Sequence, residues 1–122
     1  MKSLAPIVAL TAILLALPAH AQRAVTLQAR TAADLADLCG ANPKDSQGDA
    51  KINFCHGFAQ GAITVELRHA GDKKPFCFPT PTPSRTATMT EFVNWVRALP
   101  EHRTVPAVEG LFKFLGERYP CK

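Results

Sequence analysis

The chain has 122 residues, 14 Lys and Arg against 10 Asp and Glu, 47% apolar residues, 10 prolines and four cysteines. That length holds one small domain, and a net charge of +4 with no basic stripe excludes the cationic face that nucleic acid requires. Beyond Ala21 no apolar run approaches the ~18 residues that span a bilayer, which excludes membrane insertion of the remainder.

Residues 1–21 read as a secretory signal peptide. Lys2 supplies the positive end, Leu4 to Leu17 is apolar apart from Pro6 and Thr11, and Pro18-Ala19-His20-Ala21 ends in a small-x-small cleavage site before Gln22. Cleavage there removes 21 of the 122 residues and the charge of Lys2, leaving 101 residues of net charge +3 with all four cysteines. Residues 22–30 are short, mixed and unpunctuated, and read as an extended arm before a domain over 31–122.

Thr31 opens the first predicted helix. Thr31-x-x-Asp34 is close to a capping box, Leu35, Leu38 and Cys39 share a face, and Gly40 stops the helix. After a connection containing Asn42-Pro43 and Gly48, a second helix starts near Ser46 to Asp49 and runs to about Ala70. Ile52, Cys55, Ala59, Ala62, Ile63 and Leu67 form its stripe, widened by Phe54, Phe58 and Val65, so it reads as the central helix. Gly57 and Gly61 lie on one face of it, where missing side chains would let another helix pack closely.

Lys73 to Thr86 holds Pro75, Pro79, Pro81 and Pro83, which exclude regular helix and predict a loop partly in polyproline II conformation. Thr88-Met89-Thr90-Glu91 reads as the capping box of a third helix that carries Met89, Phe92, Val93, Val96 and Leu99 and ends at Pro100, with Trp95 at the edge of its stripe. A last helix begins around Val105-Pro106, presents Val108, Leu111, Phe112, Leu115 and Tyr119, and stops at Pro120-Cys121. No segment alternates with period two, so the predicted fold is all-α: a small four-helix domain with one long loop between the second and third helices.

Export makes Cys39, Cys55, Cys77 and Cys121 a disulfide framework, since an even set without C-x-x-C spacing outside the cytosol is structural before it is metal-binding or redox-active. Three pairings are possible. Helix order favours Cys39 with Cys55 across a helical hairpin, and Cys77 in the loop with Cys121 at the C-terminus.

Catalytic chemistry finds no constellation. Ser46 and Ser84 sit in loops without a nucleophile elbow, and a thiol nucleophile would require a free cysteine. Glu66-x-x-His69 is half of a di-iron motif that needs a second copy, and Cys55-His56 lacks the upstream cysteine of a haem site. His56, His69 and His102 stand apart from any zinc, calcium or phosphate-loop pattern, so no enzyme activity, metal or cofactor is expected. Binding remains.

Three landmarks occur together: Leu35-x-x-Leu38-Cys39, then Cys55-His56-Gly57-Phe58-Ala59-Gln60-Gly61, and a final Tyr119-Pro120-Cys121. Between them Cys77-Phe78-Pro79 leads into a capped helix, which Arg97 to Arg103 joins to the last one. Over about residues 31–121 the chain resembles the Rap/Tai immunity proteins of type VI secretion systems, with Phe58 where such proteins often have Tyr and a loop richer in proline. The resemblance implies a periplasmic, all-helical, homodimeric protein that binds a cognate peptidoglycan amidase effector and blocks its active site. The matching positions are scaffold, so they do not carry over a contact surface. From the residues themselves, partner contacts are expected first on the loop, at Lys73, Lys74, Phe76, Phe78, Pro81 and Arg85, whose prolines limit the entropy lost on binding. The Pro100 to Thr104 turn, with His102 and Arg103, comes next. A periplasmic acid-stress chaperone and a generic helical binding protein are the alternatives that size and compartment also fit.

Overall fold

A computed structural model describes residues 25–122; the signal peptide expected over 1–21 and the first residues of the arm lie outside the described residues. The capping box at Thr31 forms as expected. Its Oγ1 accepts from the Asp34 amide at 3.2 Å, and Asp34 Oδ2 accepts from the amides of Thr31 (2.9 Å) and Arg30 (3.0 Å). These backbone donors, Thr31 foremost, hold the Asp34 carboxyl below its ordinary range. Helix α1, Ala32–Cys39, buries Ala32, Leu35, Ala36 and Leu38 within only eight residues. It packs against every later helix, α2 (Gly48–Ala70), α3 (Arg85–Ala98), α4 (Pro100–Arg103) and α5 (Ala107–Arg118). Ala32 N–H donates to the Val105 carbonyl at 2.8 Å and Ala107 N–H to that of Arg30 at 2.9 Å, which ties the start of α1 to the start of α5.

The centre of the fold is therefore α1, and α2 is not the central helix that its apolar breadth predicts. Of its 23 residues only Gly48, Cys55 and Ala59 are buried. Phe54, Phe58, Ala62, Ile63 and Leu67 are half-buried against the core, while Val65 is 58% exposed. At 1.5 Å per residue α2 is about 35 Å long, longer than the other helices can cover. Gly57 and Gly61 correct a second expectation. A Cβ on either would meet nothing within 4 Å, so no helix among the described residues packs there. The close approaches fall instead at Gly48, where a Cβ would lie 1.8 Å from the Asn42 carbonyl oxygen, and at Gly110, where it would lie 2.7 Å from Ala32 Cβ.

Helix α3 starts one turn before the expected box. Ser84 is the N-cap, its Oγ accepting from the Ala87 amide at 3.1 Å. Thr88 is buried and donates to the Ser84 carbonyl at 3.1 Å, while Glu91 pairs with Arg118 of α5, so neither residue is free to cap. Leu99 breaks the helix, and the expected turn 100–104 is wound into the one-turn helix α4 with Pro100 at its first position. Among the described residues the fold thus has five helices and not four, the fifth being the one-turn α4, and no strand. Both disulfides pair as helix order favours, Cys39–Cys55 and Cys77–Cys121. The core between the helices is filled by Leu35, Cys55, Phe76, Phe92, Val96, Leu111 and Leu115, all essentially inaccessible.

Candidate functional site

The loop between α2 and α3 is pinned at several points. Gly71, at φ 57°, turns the chain out of α2. Phe76 is fully buried, edge-on to Phe78 at 5.7 Å and tilted against Phe112 at 5.8 Å. Phe76, expected from the sequence as a partner contact, instead puts its ring in the core, where it anchors the loop. Cys77 N–H donates to the Tyr119 carbonyl at 2.8 Å, next to the Cys77–Cys121 bridge, and Phe78 leans on Tyr119 at 5.2 Å. Lys73, Lys74, Pro81 and Arg85 are exposed. The Thr80-Pro81 peptide is cis.

Phe78 and Pro83 line two grooves, so the proline segment stands as a wall between them. On one side a groove of about 330 Å³ runs between the wall, α2 and the start of α3. Ala59, Ile63, Phe78 and Met89 line it with apolar surface, and His56, Gln60 and Arg85 supply polar groups. Arg85 Nη1 donates to Gln60 Oε1 at 2.7 Å, which links α3 to α2 and holds the guanidinium in place. On the other side a wider groove is lined by Pro79, Pro81, Tyr119 and the Arg118–Glu91 ion pair. The Arg118 guanidinium keeps the Glu91 carboxyl below the usual range and is itself raised by that carboxylate.

The second expected contact segment divides in two. Arg103 is exposed, but His102 is 93% covered, its ring stacked on Trp95 with centroids 3.6 Å apart and planes 8° from parallel. His102 Nδ1 lies 2.7 Å from the Trp95 carbonyl oxygen, and Trp95 Nε1–H donates to Glu117 Oε2 at 2.7 Å. His102 therefore fastens α4 to α3 and offers no free ring to a partner. Sequence reading placed Trp95 at a core edge, where it is half-buried, but missed its role as the platform for His102. It also missed Gln60 and the groove itself, since Gln60 and Arg85 lie 25 residues apart and no local pattern couples them.

All four cysteines are disulfide-bonded, and Ser84 is spent as a cap. Among the described residues no three of His, Cys, Asp and Glu converge, and no helix is long and apolar enough to cross a membrane. Fold and site together define a small helical module, stapled by two disulfides, that presents a pinned loop between two grooves. The family model of Rap1a immunity proteins matches residues 31–121, and the chain belongs to that family. It is not a family of enzymes, and the likeness to Rap/Tai proteins noted from the cysteine landmarks is borne out. No curated protein and no solved structure matches the chain.

Proposed function

We propose that this chain is a periplasmic immunity protein that binds a cognate peptidoglycan amidase effector of a type VI secretion system and blocks its active site. In this reading residues 1–21 direct export and are removed, 22–30 form an arm, and 31–122 form the inhibitory domain. Family membership supports immunity to a secreted effector, and the two disulfides fit an oxidising compartment. The observation that carries the mode of action is the pinned loop. Because Phe76 and Cys77 already fix its backbone, little conformational entropy is lost when it docks. Its exposed Lys73, Lys74, Pro81 and Arg85, with half-buried Phe78, are the contact residues, and Arg103 extends the surface. Phe76 and His102 act beneath that surface.

The protein is a homodimer in this reading, and the flank of α2 where half-buried Phe54 and Phe58 lie on the same stripe as exposed Val65 is the apolar surface that fits a second copy. The test is survival of a sensitive cell that exports to its periplasm the amidase-like product of the neighbouring gene, with and without this chain. Rescue that disappears when residues 1–21 are deleted is the expected result. Failure to neutralise any neighbouring toxin, together with suppression of client aggregation at acid pH, would reassign the protein to chaperone work.

A further inference from the structure

We infer that the groove between α2, the proline wall and the start of α3 receives an acidic segment of the partner protein, an aliphatic side chain entering the groove and a neighbouring carboxylate meeting Arg85. The inference rests on the reading that the chain works by binding a protein partner. It adds which groove is used and what chemistry fills it.

Charge carries the argument. The lining of this groove includes Arg85 and His56 but no Asp or Glu. Arg85 is held by Gln60, a neutral acceptor, so its positive charge has no carboxylate partner among the described residues. Arg118, across the wall, shows the contrast, since its fork is already occupied by Glu91. A guanidinium fixed by one neutral hydrogen bond keeps further N–H donors available for a carboxylate, with the side chain already ordered. Placed beside Ile63, Phe78 and Met89, it stands next to apolar surface where a closing partner excludes water and strengthens the pair. A cationic segment would meet like charge, and a wholly apolar one would leave Arg85 desolvated without a counter-charge.

Size limits the occupant as well. A volume of about 330 Å³ is at the small end for ligand sites, which suits one or two side chains of an extended segment. The hydroxyls of Thr64 and Thr82 at the same groove can donate to its backbone carbonyls.

The test titrates isotope-labelled protein with the capped tetrapeptide Ala-Leu-Glu-Ala and with versions carrying Gln or Lys in place of Glu. The expected result is shifts confined to Gln60, Ile63, Arg85 and Met89, with affinity about tenfold weaker for the Gln peptide and weaker still for the Lys peptide. Arg85→Gln abolishes the preference for Glu while leaving the remaining spectrum unchanged, and Arg85→Lys keeps part of it. Equal responses to all three peptides, or shifts elsewhere on the surface, overturn the proposal. Shifts that track protein concentration rather than peptide assign the groove to a second copy and overturn it too. Neutralisation of a toxin that survives Arg85→Glu intact refutes the groove's role and leaves immunity standing. Peptide binding in the groove without neutralisation of any toxin leaves the groove standing and refutes immunity.

Discussion

Replacing Gly110 by alanine puts a methyl group where α5 crosses α1. The new Cβ would lie 2.7 Å from Ala32 Cβ and 3.0 Å from Val105 Cγ2, against the ~3.5–4.0 Å at which carbon atoms pack well. Ala32 is fully buried and has no flexible end to swing aside. The hydrogen bonds from Ala32 to Val105 and from Ala107 to Arg30, at 2.8 and 2.9 Å, hold the two helix starts together and resist separation. Overpacking of this kind costs about 1–3 kcal/mol, and the better helix propensity of alanine returns about 1 kcal/mol. A net loss near 1 kcal/mol follows from those two terms, as an order of magnitude. Gly57→Ala and Gly61→Ala meet open space and should each gain up to about 1 kcal/mol. The gap between Gly110→Ala and Gly57→Ala is then about 2 kcal/mol, or on the order of 10 °C in Tm for a domain this size. Gly48→Ala should be the worst of the four, because its Cβ would fall 1.8 Å from a backbone oxygen. Urea denaturation of the oxidised protein, followed by far-ultraviolet circular dichroism, reads each effect as a midpoint shift at constant slope. If Gly110→Ala proves as stable as Gly57→Ala, the close α1–α5 crossing is wrong. If Gly57→Ala and Gly61→Ala are destabilising, those positions are packed against something after all.

Thr31→Ala removes the hydroxyl that caps α1 and should cost about 1 kcal/mol in the same denaturation assay. Because the folded carboxyl of Asp34 is depressed, its contribution is fully present above the unfolded value near 3.8 and is lost as pH falls through the lower folded value. Asp34→Asn should therefore lower stability at neutral pH and flatten its acid dependence; an unchanged acid slope refutes the capping role. His102→Ala deletes the stack and the contact with the Trp95 carbonyl, for a loss of about 1–2 kcal/mol. Since Trp95 is the one tryptophan, its emission should shift to the red as the indole loses cover, and an unmoved spectrum refutes the stack. Opening Cys39–Cys55 or Cys77–Cys121 by paired serine substitution releases loops with sequence separations of 16 and 44, worth about 3 and 4 kcal/mol in the chain-entropy account. On the proposed function, the Cys77–Cys121 variant should in addition lose neutralisation of the cognate effector, because it frees the loop; full neutralisation by a folded variant would move the proposed contact surface elsewhere.

Local features were the legible ones. The Thr31 cap, the proline-rich loop and the disulfide pairing follow from chemistry that neighbouring residues impose on one another, or from the order in which helices bring cysteines together. The helical stripes were legible only in part: Leu35, Cys55, Phe92, Val96, Leu111 and Leu115 are buried as expected, whereas Val65, Leu99 and Val108 are exposed and buried Phe114 lay outside the expected stripe. The cap of α3 was misread because Thr88 and Glu91 have the right spacing for a box, yet one is buried against the Ser84 carbonyl and the other taken by Arg118. Spacing records what a residue can do, and tertiary partners decide which option is used.

The same distinction separates the candidate site from the helices that carry it. By itself the sequence determined the helical class, the framework of four cysteines and the position of the proline-rich loop. Only the tertiary structure decided that eight-residue α1 and not long α2 lies at the centre, that Gly110 and not Gly57 or Gly61 marks the close crossing, and that Phe76 and His102 turn inward. It alone joined Gln60 to Arg85 and so made the groove. Periodicity reports which side chains seek cover, but which element supplies it depends on how helices of unequal length share one core, and that is a property of the packed chain as a whole.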